Sequence, residues 1–331
     1  MNGNALNLGT LIQGFALSCQ TEGKSSRTVE WYGCFLDRFH GFLDKNGMAV
    51  NIAEVTKDHI RQFIQYLQTE ARTPYKDKHL SPATVQGYVR CLKAFFSWAK
   101  REDYVEINPM AMIPVPKAPT RVINAFNTEQ VAKLIDVCRK TNGCGYRNMV
   151  TMLLMLDCGI RVSELVNMDL DDVDLTEGYI RIRRAKGGRE RIVPIGSLVQ
   201  KVLWNYINRS RPQPLTEKVI RVFLTDDGLP LTKSGVQQML RRCGKKAGLA
   251  GVRCSPHTFR HTFAKNYLLN GGDIFSLQKI LGHSSLATVR IYLNLFAADI
   301  KKQHQRFSPV DNLIHNSFIY PIIRWSQSMK Q

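Results

Sequence analysis

The sequence predicts a mainly α-helical chain of two domains, with a small antiparallel β-sheet in the second domain. The chain has 331 residues, which is more than one hydrophobic core usually serves. Apolar residues in the first hundred positions recur at helical spacing, whereas the alternation typical of a strand first occurs near residue 180. Prolines are concentrated between these two regions. Together these observations predict a helical domain, a linker and a mixed domain.

The first predicted domain, residues 1–106, contains four amphipathic helices. The fourth helix has the clearest start, because Ser81 is a good N-cap and Pro82 suits the first helical position. Four helices in a hundred residues predict one compact helical unit. The apolar stripes of the four helices begin at Leu8, Val29, Ile60 and Val85.

A proline-rich linker is predicted over residues 107–124, since its four prolines cannot lie within a continuous helix. The second domain is predicted over residues 125–307, and the tail 308–331 has no predicted role. Alternating residues on both sides of a glycine turn, Tyr179–Arg184 and Arg191–Ile195, predict a β-hairpin. The helical patterns after the hairpin are Leu198–Arg209, Ser234–Lys246, Pro256–Leu269, Ile274–Leu281 and Ser285–Tyr292.

The chain is strongly basic, with 46 Lys and Arg against 27 Asp and Glu and a formal net charge of +19. Residues 1–120 hold 14 basic and 11 acidic side chains, and residues 121–331 hold 32 and 16. This surplus indicates a polyanionic partner, most simply nucleic acid, or otherwise an anionic membrane surface. The second domain is expected to make most of the contact.

Several protein classes are disfavoured by what the sequence lacks. No apolar run approaches the ~20 residues that span a bilayer, and the N-terminus has no secretory pattern. The eight cysteines are scattered without a C-x-x-C motif, which is typical of reduced thiols in a cytoplasmic protein. The absence of G-x-x-x-x-G-K-[ST] argues against a P-loop ATPase.

The stretch Ser255–Arg260 contains the most informative motif. Ser255 and Pro256 predict a helix start, and His257 and Arg260 then lie three residues apart on one face. A helix N-terminus favours anions, so this arrangement predicts a phosphate site with a proton acceptor beside it. H-x-x-R alone is too short to distinguish such a site from surface side chains on an ordinary capped helix.

Two further candidates follow this motif. Gly282 suits the left-handed position after a helix end, which displays His283 on a turn. Tyr292 comes nine residues later, between Ile and Leu, where a tyrosine is usually part of a core.

Two more candidates precede the motif. Arg161 follows a predicted helix end and could be a surface arginine or the partner of Glu164. Lys186 lies in the hairpin turn, where a polar residue is ordinary.

In order and approximate spacing, these candidates resemble the site residues of the tyrosine recombinase family, the phage-integrase and Xer-type enzymes. The resemblance covers nearly the whole chain and implies the two-domain architecture of DNA-breaking-rejoining enzymes. It implies that residues 8–100 form a SAM-like, core-binding DNA-binding domain and residues 125–307 the catalytic domain. The matching segments are Cys-Gly-Ile-Arg161-Val-Ser-Glu-Leu, Ala-Lys186-Gly-Gly-Arg, His257-Thr-Phe-Arg260-His-Thr-Phe-Ala, Leu-Gly-His283-Ser-Ser and Tyr292.

The resemblance implies a site-specific DNA recombinase, an integrase that joins DNA through a covalent 3′-phosphotyrosyl intermediate. Tyr292 is implied as the nucleophile. Arg161 and Arg260 can offer planar forks of donors to the non-bridging phosphate oxygens, and His283 a further donor. The covalent link conserves the bond energy, so rejoining needs no ATP.

The implied proton transfers use two other residues. His257 is the implied proton acceptor, and Lys186 the implied general acid for the departing 5′-oxygen. Positive side chains then stand where other phosphoryl-transfer sites hold a metal ion, so neither a metal nor a cofactor is expected.

The implied partner is double-stranded DNA, held by a homotetramer, because exchange between two duplexes requires four active sites. A monomer in solution, a second recombinase and an accessory protein are all left open. Positions 181, 183, 189 and 191 alternate, which predicts one basic face on the hairpin. Residues 293–307 could form a helix that packs on a neighbour or on its own domain.

Three alternatives remain. The first is a type IB topoisomerase-like enzyme that shares the chemistry but acts as a monomer. The second is a non-catalytic DNA-binding regulator that retains the fold. The third is a metal-dependent nuclease, for which an acidic cluster could hold Mg²⁺, although a solvated loop is the simpler interpretation. The cluster comprises Asp169, Asp171, Asp172 and Asp174.

Overall fold

The structure, a computed structural model, divides the chain into two compact units, Met1–Arg121 and Val122–Gln331. Apart from residue 304, the predicted helices after residue 284 and the tail 308–331 lie outside the residues that it describes. The described residues are 7–48, 51–73, 77–119, 124–141, 143–183, 190–282 and 304.

The four helices predicted for the first hundred residues are confirmed. Ser81 caps the fourth helix, because its Oγ accepts a hydrogen bond from the main-chain N–H of Thr84 at 3.2 Å, and Pro82 is the first helical residue. A short 3₁₀ helix, Ile52–Glu54, precedes the third. The helices are α1 (Leu8–Thr21), α2 (Ser26–Lys45), α3 (Lys57–Thr69) and α4 (Pro82–Arg101).

The core of the first unit is rich in aromatic side chains, and residues expected in the linker pack against it. Met110 and Ile113 are buried among the side chains of the helices. The side-chain amide of Gln86 donates to the carbonyl of Pro116 at 2.9 Å. The fully buried aromatic residues of this core are Phe39, Phe63, Phe95 and Phe96.

The second unit contains seven described α-helices and a small sheet. Three of the predicted ranges after the hairpin are confirmed, and the predicted helix at Leu198 continues as a π-helical turn, Tyr206–Ser210. The helices are α5 (Thr128–Arg139), α6 (Gly145–Cys158), α7 (Val162–Val166), α8 (Ser197–Asn205), α9 (Lys233–Lys246), α10 (Pro256–Leu269) and α11 (Ile274–Leu281).

The described sheet has three antiparallel strands in the order β1-β2-β3: β1 (Val173–Asp174), β2 (Tyr179–Ile182) and β3 (Arg191–Pro194). The predicted hairpin is confirmed as β2 and β3. The short strand β1 and the single-turn helix α7 were not predicted, because each is too short to show a hydrophobic period. The mainly α fold class with a small antiparallel sheet is confirmed.

The register of the hairpin corrects the prediction of one basic face. Arg191 lies opposite Ile182, and Arg181 lies opposite Ile192. Opposite residues of an antiparallel pair share a face, so Arg191 lies on the same face as the buried Ile182 and not with Arg181. Alternating side chains give each strand two faces. The length of the turn sets the register of the two strands, and the register decides which face of one strand continues a given face of the other.

The acidic segment before the hairpin is ordered and not a simple solvated loop. Asp172 is buried and forms an ion pair with Arg183. Asp169 accepts a hydrogen bond from Arg221 at 2.6 Å, and Asp174 accepts from main-chain N–H groups in the following turn. Among the described residues, no group of three or more His, Cys, Asp or Glu side chains is placed to hold a metal ion. None of the described helices has the length and apolar character needed to cross a membrane.

Candidate active site

A tight turn at Gly159 brings the two candidate arginines together. Gly159 ends α6 in the left-handed conformation, with φ +58°. A Cβ atom at this position would lie 2.3 Å from Cδ1 of Phe263 on α10, so only glycine fits without rearrangement. The turn places Arg161 at the N-cap of α7.

Arg161 is held by an acidic side chain and by a carbonyl group. Its NH1 donates to Oε1 of Glu164 at 2.8 Å, and its NH2 donates to the carbonyl of Gly282 at 3.1 Å. Its main-chain N–H donates to Oε2 of Glu164 at 2.8 Å. About a quarter of the side chain, 27%, remains exposed, so the guanidinium is fixed and still accessible to a ligand.

The helix start predicted at Ser255 is confirmed. Oγ of Ser255 accepts from the main-chain N–H of Thr258 at 3.4 Å, and Pro256 is the first residue of α10. His257 is exposed on the first turn, whereas Arg260, one turn later, is 6% exposed. The imidazole therefore lies in solvent near the helix start, and the guanidinium lies in the protein.

Arg260 joins two helix ends. Its NH1 donates to the carbonyl of Gly159 at 2.6 Å, and its NH2 donates to the carbonyl of Leu281 at 2.7 Å. The guanidinium of Arg260 thus connects the turn that precedes Arg161 with the end of α11.

Three arginines converge on the C-terminal end of α11. The last carbonyls of a helix have no partner within the helix and carry a partial negative charge, so guanidinium donors there are favourable. Gly282 itself is left-handed, with φ +63°, as predicted. The donor and acceptor pairs are Arg191 with Ile280 at 2.8 Å, Arg260 with Leu281 at 2.7 Å and Arg161 with Gly282 at 3.1 Å.

Glu164 connects two of these arginines. The side chain of Arg191 donates to both of its carboxylate oxygens, at 2.9 and 2.8 Å, and the side chain of Arg161 donates to one. Burial would raise the pKa of Glu164, but the hydrogen bonds from Arg191 and Arg161 outweigh it, and the pKa is lowered. The network combines three positive charges with one negative charge, which suits a phosphate ligand.

A second histidine lies beside the candidate site. Burial, together with the nearby charges of His257 and Arg260, lowers the pKa of His261 to about 4. His261 is therefore neutral at pH 7 and adds no charge to the cluster.

Three candidates from the sequence lie outside the described residues: Lys186, His283 and Tyr292. The described candidates Arg161 and Arg260 share one network, and His257 lies one turn from Arg260. From the sequence, Glu164 is expected only as a possible partner of Arg161, and Arg191 is expected on the basic face of the hairpin. The structure shows that Glu164 also binds Arg191 and that Arg191 does not share a face with Arg181. The register of the two strands is the information needed to find this contact.

Comparisons with known proteins match both units. The sequence model of the Phage integrase family matches residues 124–298, and that of the Phage integrase SAM-like domain matches residues 10–115. Tyrosine recombinase XerD of Staphylococcus haemolyticus is 30% identical over 302 residues, which cover 91% of this chain and 99% of that protein. Tyrosine recombinase XerD of Staphylococcus aureus has the same identity and coverage.

Solved structures show the same fold. The XerH site-specific recombinase bound to palindromic difH substrate, a post-cleavage complex, has a TM-score of 0.69 and 20% identity, covering 92% of this chain and 85% of that one. A lambda integrase dimer bound to a COC′ core site has a TM-score of 0.68 and 18% identity, covering 87% of this chain and 95% of that one.

Proposed function

The chain belongs to the phage integrase family, and we propose that it breaks and rejoins DNA strands with Tyr292 as the nucleophile. The resemblance to tyrosine recombinases read from the sequence is confirmed by this membership. The chain is accordingly a site-specific recombinase. We further propose which residues perform its chemistry, how it binds DNA and how it assembles.

One observation supports the proposed site above all others. The guanidinium groups of Arg161 and Arg260 donate to the neighbouring carbonyls of Gly282 and Leu281, although the two arginines are 99 positions apart in the sequence. Two fixed guanidinium groups can stabilise the charge that develops on the non-bridging oxygens of a phosphorane. Pre-positioning is effective because no reorganisation is needed during the reaction.

The proposed cleavage step is a displacement at phosphorus. The phenolic oxygen of Tyr292 forms a bond to the scissile phosphorus, and the bond from phosphorus to the 5′-oxygen breaks. The products are a 3′-phosphotyrosyl link and a free 5′-hydroxyl. Arg161, Arg260 and His283 donate hydrogen bonds to the non-bridging oxygens.

Two proton transfers balance this step. His257 accepts the proton of the phenol, which is needed because tyrosine ionises near pH 10 in water. Lys186 donates a proton to the departing 5′-oxygen. Rejoining is the same step in reverse, with the 5′-hydroxyl of the exchanged strand as the nucleophile, and needs neither ATP nor a metal ion.

The proposed substrate is double-stranded DNA. Exposed arginines on the hairpin and on α9 supply phosphate contacts, so binding should weaken steeply as salt rises. We expect a homotetramer on DNA, since two duplexes exchange four strand ends, and we expect it to act in the cytoplasm. The exposed arginines are Arg181, Arg183, Arg241 and Arg242.

A covalent trapping experiment tests the nucleophile. DNA nicked next to the cleavage site loses a short 5′-hydroxyl fragment, so the protein–DNA adduct accumulates and can be separated under denaturing conditions. With EDTA present, the parent should form this adduct, and Tyr292→Phe should bind DNA without forming it. Tyr267→Phe, which also removes one phenolic hydroxyl in the second unit, is the control and should form the adduct.

The outcomes separate the alternatives. An adduct in Tyr292→Phe would show that another residue is the nucleophile. Cleavage that EDTA abolishes, without any adduct, would support the nuclease. Relaxation of a two-site plasmid without recombination would support the topoisomerase-like enzyme.

A further inference from the structure

A polar cavity of about 300 Å³ adjoins the candidate active site. Glu164, whose carboxylate binds Arg161 and Arg191, also forms part of the cavity wall. Other parts of the wall come from the short helix α7 and from strand β2, which contribute Ser163 and Arg181. The cavity and the network of the candidate active site therefore have Glu164 in common.

The wall opposite β2 is fixed by pairing between two chain segments. The main-chain N–H of Val222 donates to the carbonyl of Met168 at 2.9 Å. Arg221, the residue before Val222, donates from NH1 to the carbonyl of Asn167 at 2.5 Å. The cavity is thus formed by ordered main chain, and its shape does not depend on side chains alone.

Each of the three carboxylates that the described residues place in the cavity wall is bound by a guanidinium group. Asp169 accepts from NH1 of Arg221 at 2.6 Å, and the buried Asp172 forms an ion pair with Arg183. Glu164 is bound by the two arginines named above. A paired carboxylate repels an anion less and holds its guanidinium in one orientation.

The charges around the cavity favour an anionic ligand. Five guanidinium groups line it or bind its carboxylates, against three carboxylates, so positive charge remains in excess. The five arginines are Arg161, Arg181, Arg183, Arg191 and Arg221.

Three side chains of the cavity wall have hydrogen-bond donors that no other described residue uses. They are the hydroxyl of Ser163, the side-chain amide of Asn167 and the guanidinium of Arg181. A backbone phosphate carries one negative charge and two non-bridging acceptor oxygens. One guanidinium with two uncharged donors is a matching set of partners for such a group.

A second phosphate must lie close to the scissile one. The phosphates of one DNA strand follow each other at about 3.4 Å along the helix axis. A strand whose scissile phosphate is held by Arg161 and Arg260 therefore brings a neighbouring phosphate to the surroundings of this pair. The cavity adjoins Arg161 through Glu164, so it is suitably placed for that neighbour.

We propose that the cavity binds a backbone phosphate of the cleaved strand, next to the scissile phosphate, through Ser163, Asn167 and Arg181. The contact fixes the register of the strand, so that the scissile phosphate meets the active-site arginines. It carries no base information, because every nucleotide has the same phosphate. This inference rests on the proposed function, in which Arg161 and Arg260 hold the scissile phosphate.

The test removes the charge of one DNA phosphate at a time. A methylphosphonate replaces one non-bridging oxygen by a methyl group and leaves that phosphate neutral. The scissile phosphate is located first from the trapped adduct, and the phosphates on either side of it are then replaced singly. DNA affinity is measured by fluorescence anisotropy at a fixed salt concentration.

The parent should lose affinity by about 10-fold at one flanking position, the scale of a hydrogen bond to a charged group. At that position Arg181→Met and Asn167→Leu should lose about twofold or less, because the contact is already absent. Ser163→Ala should give an intermediate loss. At the other positions the three variants should lose as much as the parent.

Asn167→Leu is the sharper variant because it changes no charge. It should leave the slope of log affinity against log salt unchanged, whereas Arg181→Met should lower this slope by about one. A general attraction between basic side chains and DNA would give Asn167→Leu no effect at any position. That result would overturn the inference.

Two matched controls carry the same chemical changes elsewhere. Arg241→Met, on the exposed side of α9, should weaken binding but keep the full loss of the parent at the flanking position. Asn266→Leu should behave as the parent, because Asn266 lies nine residues after His257 and so on the opposite side of α10. Thermal unfolding checks that all variants are folded.

Further measurements separate this inference from its competitors. Binding of inorganic phosphate to the free protein, lost in Asn167→Leu and without coupling to any DNA phosphate, would assign the cavity to a free ion and overturn the inference. Adduct formation by the parent without the selective coupling would refute the role of the cavity alone. Absence of any adduct in the parent would refute the proposed cleavage chemistry and the inference with it.

Discussion

Arg161 and Arg260 donate hydrogen bonds to consecutive main-chain carbonyls, those of Gly282 and Leu281, at 3.1 and 2.7 Å. The C-terminal end of α11 thus anchors two side chains that come from different segments of the chain. Each guanidinium has five N–H donors in a rigid fork, so a donor used for a carbonyl fixes the direction of the others. The arrangement orients both arginines before any phosphate binds.

Replacement of Arg260 by lysine should stop catalysis while largely preserving DNA binding. An ammonium keeps the positive charge, but it cannot bridge the carbonyls of Gly159 and Leu281 and still present a planar fork to a phosphate. Arg260→Lys should slow adduct formation by at least about 100-fold, the scale on which a preorganised donor acts. The rate is measured on nicked DNA at saturating protein.

The control for this change is Arg241→Lys, an exposed arginine on α9. It preserves the charge at a position where no hydrogen bond to another described residue holds the guanidinium, so the cleavage rate at saturating protein should not change. Normal cleavage by Arg260→Lys would contradict the assignment of Arg260 to the active site.

Gly159→Ala should destabilise the protein through two separate effects. The left-handed conformation, with φ +58°, costs an alanine about 1–2 kcal/mol. The added Cβ would also lie 2.3 Å from Cδ1 of Phe263, and such overpacking costs about 1–3 kcal/mol more. The free energy of unfolding, measured with urea, should fall by the sum of the two effects.

Gly251→Ala isolates the first of these effects. Gly251 is also left-handed, with φ +74°, but a Cβ there would meet no atom within 4 Å. Its substitution should cost about 1–2 kcal/mol. Equal losses for Gly159→Ala and Gly251→Ala would show that the contact with Phe263 relaxes without cost.

Features that depend on neighbouring residues could be predicted from the sequence. Ser81 and Ser255 cap helices where expected, and Gly282 ends a helix in the left-handed conformation, as expected. Capping and left-handed turns are decided by a few adjacent residues, so a sequence pattern contains the necessary information.

Features that depend on the pairing of distant segments could not be predicted from the sequence. The prediction that Arg191 shares a face with Arg181 failed, because the register of β2 and β3 follows from the turn length and from core packing. The bonds from Arg191 to Glu164, 27 positions away, require both segments to be placed by the fold. The resemblance identified the residue types of the site, but it did not reveal this connection.

Glu164→Gln should destabilise the second unit strongly at neutral pH. The amide keeps the shape of the carboxylate but turns an N–H donor toward guanidinium donors of Arg161 or Arg191, and it leaves their charges uncompensated. Breaking a buried pair in this way costs about 3–5 kcal/mol. The free energy of unfolding is measured with urea at pH 7, with Glu129→Gln, in an exposed pair with Lys133, as the control.

The difference in unfolding free energy between the parent and Glu164→Gln should depend on pH, because the pKa of Glu164 is lowered. A carboxyl whose folded pKa lies below its unfolded value contributes stability that is fully present above the unfolded pKa, here 4.5. The contribution is lost as the pH falls below that value and through the folded pKa. The difference between the parent and Glu164→Gln should therefore be constant above about pH 5.5 and shrink below pH 4.5. A difference that grows on acidification would contradict the ion-pair interpretation.

His261 should make the parent less stable as the pH falls from about 6.5 to about 4. Burial, with His257 and Arg260 nearby, disfavours the charged imidazole in the folded state, whereas the unfolded chain takes up the proton near pH 6.5. The unfolded state then binds more protons in this interval, so acidification favours unfolding. Between pH 7 and pH 5, the parent should lose more unfolding free energy than His261→Gln, which cannot be protonated.

His40→Gln, on α2 of the other unit, is the control and should lose as much as the parent. If His261→Gln also loses as much as the parent, the imidazole of His261 is free to ionise in the folded protein, and the neutral neighbour inferred for Arg260 is wrong.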